Sequence, residues 1–123
     1  MDSANDIHIF ACFSCFFQGP NVARGGIATQ SSIYGMGRPQ NAIDGRRASN
    51  WRQRSVTHTR RDNRPWWRVD LRAVYKVNYV MITNRGDCCA SRLNGAEIRI
   101  GNSLSDNGNR NKRYINSKVN VGI

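Results

Sequence analysis

The stretch that most constrains the fold is Lys76-Val77-Asn78-Tyr79-Val80-Met81-Ile82-Thr83, rich in β-branched and aromatic side chains. Successive side chains of a strand point to opposite faces, so Val77, Tyr79 and Met81 line one face and Val80 and Ile82 the other. Both faces are apolar, which places this strand inside a sandwich and not on its wetted surface. Further runs share the two-residue period. Trp66 to Leu71 reads as a strand, Ala96-Glu97-Ile98-Arg99-Ile100 alternates behind an Asn94-Gly95 hairpin-type turn, and Val119, Val121 and Ile123 begin another alternating run.

The segments between these strands are loops by their breakers. Val22, Ile27 and Ala28 are separated by Arg24-Gly25-Gly26 and read as a short strand with a turn or bulge. Ser31 to Gln40 contains Gly35, Gly37 and Pro39, and its Ile33, Tyr34 and Met36 either line a pocket rim or pack beneath the loop. Asn41 to Ser55 continues as turn and loop, and Gly101 to Asn111 is polar and rich in Asn and Gly. With no repeat, heptad or linker composition, the 123 residues read as one all-β domain, an antiparallel jelly-roll β-sandwich with its site on loops at one end. The domain is expected over residues 21–123. Residues 1–20 carry an apolar run from Ile7 to Phe17, too short to span a bilayer as a helix and preceded by no Lys or Arg. That run reads as a possible leader or signal-like segment, with an ordinary first core strand as the competing reading.

The formal charge is +11 and the isoelectric point about 10.6, a balance that raises nucleic acid or an anionic surface as partners. Much of it is local: between Arg46 and Arg72 nine arginines stand against Asp62 and Asp70, a net of +7. Their irregular placement makes no helical face. A solvated, partly ligand-facing loop region fits better than a nucleic-acid groove, because only Trp51, Trp66 and Trp67 could stack bases and the Trp66-Trp67 pair opens a strand. Four cysteines, at 12, 15, 88 and 89, do not make a disulfide-dense scaffold, and the Cys12-x2-Cys15 pair has no histidines at zinc-finger spacing.

The chemistry concentrates in Arg85-Gly86-Asp87-Cys88-Cys89-Ala90-Ser91-Arg92. Two guanidinium groups give rigid forks of N–H donors for hydroxyl or carboxylate oxygens, and Asp87 between them can accept from both and orient them. Cys88 and Cys89 are either two reduced thiols in a loop or a vicinal disulfide, a small stiff ring with an exposed polarisable face. No Ser-His-Asp arrangement and no paired catalytic carboxylates stand out, so a binding protein is expected and not an enzyme.

Counted from His58, 26 residues lead to Arg85, one more separates Asp87, and four more precede Arg92: His-x26-Arg-x-Asp-x4-Arg. This spacing resembles the sugar-binding signature of the F-type lectins, or fucolectins. Asn41-Ala42-Ile43-Asp44-Gly45, Pro65-Trp66-Trp67-Arg68-Val69-Asp70-Leu71 and Ile82-Thr83-Asn84-Arg85-Gly86-Asp87-Cys88-Cys89 agree with the same family, so the resemblance covers roughly Asn21 to Asn102. It implies a discoidin-like, galactose-binding-like jelly roll that recognises terminal L-fucose. His58, Arg85 and Arg92 would hydrogen-bond the ring oxygen and hydroxyls, Asp87 would hold the arginines, and a Cys88–Cys89 ring would pack on an apolar edge of the sugar.

The resemblance further implies a structural calcium ion in the Asn/Asp/Gly loop, at positions matching Asn41, Asp44, Arg46 and Ser55. Several of these ligands are main-chain carbonyls in the family, so Arg46 can serve although Asn is usual there. The family's domains run some tens of residues longer, with a closing Cys-Glu pair whose cysteine bridges to one just before the sugar-binding histidine. Val56 stands at that position here, so the calcium site is expected to be open on one side. Secretion, homo-oligomers that multiply weak single sites, fucosylated glycans as partners and a role in innate immune recognition follow from the same resemblance. The rival expectations are a basic nucleic-acid or anionic-surface binder, a non-binding degenerate lectin fragment, and an adhesion protein using Arg85-Gly86-Asp87.

Overall fold

The computed structural model describes residues 7–12, 21–77, 79–114 and 119–122. Among them are seven strands: β1 (Ile7–Cys12), β2 (Ile27–Gln30), β3 (Trp67–Asp70), β4 (Tyr79–Asn84), β5 (Ile98–Ile100), β6 (Lys112–Tyr114) and β7 (Val119–Gly122). Helical structure there is confined to 3-10 turns of three to five residues. The result is the all-β architecture expected from the alternating runs.

The run anticipated as an inner strand is central. β4 lies between β1 and β7 in a three-stranded sheet, antiparallel to β1 with Ile9 opposite Ile82, and parallel to β7 with Ile82 opposite Val121. That parallel pair departs from a wholly antiparallel pattern. Of the apolar run from Ile7 to Phe17, read either as a leader or as a first strand, Ile7–Cys12 form β1, which runs beside the Val22–Gly25 and Pro39–Ile43 turns; residues 13–17, Cys15 among them, lie outside the described residues.

Two apolar clusters share Val77. Val80 and Ile82, on one face of β4, pack with Leu93, Ile98 and Ile100. In the second cluster, the antiparallel β2–β3 pair sets Trp67 and Val69 against Ala23, Ala28 and Ile43, while Arg68 and Asp70 alternate outward. Burying a Val, Leu or Ile side chain contributes about 1.5–3 kcal/mol, so each of these residues is a sizeable part of the apolar stabilisation seen among the described residues.

Three local expectations are corrected. Val22–Gly25 is a 3-10 turn capped by the Asn21 side chain, which accepts from Ala23 N–H at 3.1 Å, so the strand starts only at Ile27. Asn94-Gly95 is a turn but joins no hairpin. Asn94 (φ −59°, ψ 133°) and Gly95 (φ 77°) have type II geometry, with Ala96 N–H donating to Leu93 O, and the strands on either side belong to different sheets. Lys112–Tyr114, just past the polar Gly101 to Asn111 stretch and where no element was expected, is β6. Its three residues are exposed, and Arg113 shares Glu97 with Arg99 across the β5–β6 edge.

Ser55 to Thr59 is the least expected segment. It has no ladder and mostly polar side chains, yet all five residues are buried. Buried polar groups must find partners. Ser55 Oγ donates to Asp44 Oδ2 at 2.5 Å, Thr57 Oγ1 donates to Gln30 Oε1, and Val56 O accepts from Asn41 Nδ2 at 3.0 Å.

Candidate functional site

His58 is positioned by strapping residues 57–59 to the loop after β2. His58 N–H donates to Gly37 O and Tyr34 N–H donates to His58 O, both at 3.0 Å. From the end of β2, Gln30 Nε2 reaches three carbonyls: Ser32 O at 2.8 Å, Gly37 O at 2.9 Å and His58 O at 3.0 Å. The approach is so close that only glycine fits at 37, where a Cβ would lie 2.4 Å from His58 Cβ and 2.6 Å from its backbone nitrogen. The imidazole is 9% exposed. Its Nδ1 lies 2.6 Å from Thr59 O and its Nε2 lies 3.3 Å from Arg92 Nη1. A carbonyl only accepts and a guanidinium only donates, so these contacts assign the proton to Nδ1 and leave Nε2 as the acceptor.

A second loop brings an aromatic ring. In the Trp51–Gln53 turn, Asn50 Oδ1 accepts from Arg52 N–H while Gln53 Oε1 accepts from Asn50 N–H, a reciprocal cap that fixes the turn. The Trp51 ring stands edge-on to His58 at 5.4 Å between centroids, with Tyr34 at 6.1 Å from Trp51 and 4.8 Å from His58.

The third loop follows β4. Asn84 Nδ2 donates to Ala90 O and Gly86 N–H donates to Ser49 O, which ties the octet to the loop before Trp51. Arg85 and Asp87 form a bidentate pair, Nε to Oδ1 at 2.7 Å and Nη2 to Oδ2 at 3.1 Å, and the Arg85 guanidinium lies 5.4 Å from the Trp51 ring centroid. Asp87 Oδ2 also accepts from Trp51 N–H at 3.3 Å. The Arg85 hydrogen bond, helped by the Trp51 N–H and outweighing desolvation of opposite sign, holds the Asp87 carboxyl below its ordinary value. An adhesion receptor for Arg-Gly-Asp would need these two side chains turned outward, whereas here they hold each other.

Cys88 and Cys89 form the vicinal disulfide, with Cα atoms 3.7 Å apart. Cys89 adopts a left-handed backbone (φ 65°) and starts the Ala90–Leu93 turn, where Arg92 N–H donates to Cys89 O and the Arg92 side chain returns to His58. The sequence left thiols and disulfide open; the structure has the bridge.

Three loops thus bring His58, Arg85 and Asp87 against Trp51, with Arg92 on His58 and the Cys88–Cys89 ring next to Asp87 in the chain. Trp51 and Tyr34 were missed as site residues, since Trp51 read only as a stacking platform and Tyr34 only as a rim candidate. Their contacts cross between loops and leave no local pattern. Chemically, the assembly offers oriented cationic donors beside an aromatic ring and a disulfide, a combination suited to a polyhydroxylated ligand with one apolar edge.

The residues expected to hold calcium are only partly gathered. Asp44 Oδ1 accepts from Arg46 N–H at 2.8 Å and its Oδ2 from Ser55 Oγ. Asn41 instead donates its amide to Met36 O and Val56 O, and the Arg46 guanidinium reaches Gln53 O at 3.3 Å. The donor set fits a hard cation in kind, being all oxygen, but supplies one carboxylate.

Residues 41–121 match the family described as NedA-like, galactose-binding domain. Fucolectin-4 of Anguilla japonica is 53% identical over 96 residues, covering 74% of this chain and 53% of its own length. Fucolectin of Anguilla anguilla is 50% identical over 96 residues, covering 74% and 61%. The pentraxin fusion protein of Xenopus laevis is 49% identical over 89 residues, 72% of this chain and 21% of its own. The chain spans about half the length of the curated fucolectins it matches. The crystal structure of a f-lectin (fucolectin) from Morone saxatilis (striped bass) serum aligns with a TM-score of 0.77 at 53% identity, covering 84% of this chain and 36% of that one.

Proposed function

Since this chain belongs to the NedA-like, galactose-binding domain family and, within it, to the F-type lectins, we propose that it binds terminal L-fucose on glycans. The observation that carries this reading is the placement of His58 and Arg92, 3.3 Å apart at Nε2 and Nη1, beside an Arg85 fork held by Asp87. Arg85 and Arg92 donate to hydroxyl and ring oxygens, and Asp87 keeps Arg85 in one orientation. The Trp51 ring and the Cys88–Cys89 ring supply apolar contact for the sugar's methyl-bearing edge. Binding, not catalysis, is the activity.

Such a site makes few contacts with a monosaccharide, so single-site affinity is weak and useful avidity comes from several copies on an oligomer. A secreted protein recognising fucosylated surfaces in innate immunity fits the serum source of the striped bass relative. Among the described residues no helix is long and apolar enough to cross a membrane. Calcium at Asp44, Ser55, Asn41 and Arg46 would brace the loop under Trp51. The ion would share Asp44 with the groups that now occupy it, so its contribution is small.

The test is fucose-competed binding of the recombinant chain to a fucosylated glycan, compared with Arg85→Ala and Arg92→Ala. Each substitution removes charge-assisted hydrogen bonds of about 1.5–3 kcal/mol apiece, which lowers affinity by about ten- to a hundredfold with the melting curve little changed. Unchanged binding in both variants would end the site assignment.

A further inference from the structure

The three loops that build the site carry far more positive charge than the site uses. Residues 31–62 and 84–92 hold nine arginines, no lysine and three aspartates. Each aspartate is engaged: Asp87 with Arg85, Asp44 with Ser55 and the Arg46 N–H, and Asp62 with the Ser31 and Ser32 hydroxyls at 3.1 and 2.7 Å. Three of the exposed arginines gather on one turn. Arg52 and Arg54 flank Gln53, and Arg46 Nη1 reaches Gln53 O at 3.3 Å. Among the described residues neither Arg52 nor Arg54 pairs with an acid. The same turn presents Trp51, whose ring lies 5.4 Å from both the His58 ring and the Arg85 guanidinium.

This juxtaposition matters because the sugar reading accounts for Arg85 and Arg92 but leaves the guanidinium groups of Arg46, Arg52 and Arg54 without a role. Three like charges gathered at one short turn repel, and with no acid among the described residues paired to their guanidinium groups they raise the positive potential beside the site. A neutral sugar gains nothing from that potential. An anionic group carried one sugar away from the site does, and arginine's planar fork suits sulfate and carboxylate oxygens. Nucleic acid fits less well, because the described aromatic rings of these loops, Trp51 and Tyr34, are packed with His58 and not laid out as stacking steps.

We propose that the preferred ligand is an acidic fucosylated glycan, with a sulfate ester or a carboxylate on the sugar adjoining fucose, met by Arg52 and Arg54. This rests on the fucose reading of the site. The test uses three glycans that differ only on that adjoining sugar, which is neutral, sulfated or carboxylated, together with a fucose-free sulfated oligosaccharide. Each is titrated at about 0.05 and 0.5 M salt, where screening lengths differ about threefold.

The expected result is about five- to tenfold tighter binding of an acidic fucosylated glycan at low salt, with the gain collapsing at high salt. The larger of the sulfate and carboxylate gains identifies which acid the turn takes. In Arg52→Gln/Arg54→Gln the gain disappears while the neutral glycan binds as before. Equal affinity for all three fucosylated glycans, or a gain that survives in the double variant, overturns the inference and leaves the lectin reading standing. A folded chain that ignores the neutral glycan but holds the fucose-free sulfated one as tightly as its fucosylated counterpart overturns both.

Discussion

Gly37→Ala tests the packing that places His58. Position 37 is not in the left-handed region, so the cost comes from space alone. A Cβ there would sit 2.4 Å from His58 Cβ, 2.6 Å from its nitrogen and 2.9 Å from its Cα, all inside the range where something must shift. Two of those atoms are backbone, and the two segments are strapped by the His58-to-Gly37 and Tyr34-to-His58 hydrogen bonds and by Gln30. Overpacking of this kind costs about 1–3 kcal/mol, and pulling the segments apart weakens one or two hydrogen bonds at about 1 kcal/mol each. The expected loss is therefore about 2–4 kcal/mol, a fall in melting temperature on the order of 10 °C for a domain of this size. Gly25→Ala is the matched control. Its Cβ would meet nothing within 4 Å, and the melting point should move by no more than about 2 °C. Thermal unfolding followed by circular dichroism reads both, and fucose binding at low temperature should fall in the Gly37 variant because His58 is displaced. If Gly37→Ala melted within about 2 °C of the parent, the close approach of residues 37 and 58 would be wrong.

Asp87→Asn keeps the shape of the Arg85 clamp but removes its charge. The pair's side chains are only 13% and 23% exposed, so weakening their charge-assisted hydrogen bonds costs about 1–3 kcal/mol of stability, while fucose affinity falls about tenfold because Arg85 loses its orientation. The pH dependence has a definite sign. Because the folded carboxyl lies below the ordinary value of 3.8, its contribution is fully present above that pH and is lost as pH falls through the lowered value. A titration showing the parent weakening below about pH 4, with no such component in Asp87→Asn, is expected; identical acid profiles would refute the clamp. Replacing Cys88 and Cys89 together by serine should shift the melting point by less than about 3 °C yet weaken fucose binding about five- to tenfold, read by glycan titration. Calcium added to the chelator-treated chain should raise the melting temperature only by about 1–3 °C, because one carboxylate, already sharing its oxygens, holds it; a rise above about 10 °C would show a complete site.

The strands most legible in the sequence were those whose alternation coincided with burial. Val80 and Ile82 in β4, Trp67 and Val69 in β3, and Ile98 and Ile100 in β5 all turn the expected apolar face inward. β6 escaped because Lys112, Arg113 and Tyr114 are exposed, and only the edge of β5 makes them a strand. Ser55 to Thr59 escaped for the opposite reason: a polar run signals water, and its burial depends on Asp44, Gln30 and Asn41, 11, 27 and 15 residues distant. Spacing singled out His58, Arg85, Asp87 and Arg92, which the structure gathers as a His58–Arg92 contact and an Arg85–Asp87 pair, whereas the Trp51 and Tyr34 contacts, which join separate loops, left no such pattern. Of the calcium positions, Asp44 meets Ser55 and the Arg46 N–H, while the Asn41 side chain turns its Nδ2 to Met36 O and Val56 O.

The loop from Ser32 to Gly37 is tied down almost entirely by its backbone: Ser32 O and Gly37 O to Gln30, Tyr34 N–H to His58 O, and Ile33 O to Arg60 Nε at 3.1 Å. The side chains of Ile33, Tyr34 and Met36, 41–56% exposed, take no part in that anchoring. Folding therefore imposes little on Ile33 and Met36, and the loop behaves as a fixed frame carrying two exchangeable inserts beside the Tyr34 ring, which packs 4.8 Å from that of His58. On the proposed lectin reading, selectivity between glycans can be rewritten at positions 33 and 36 while Tyr34, His58 and Trp51 keep their packing.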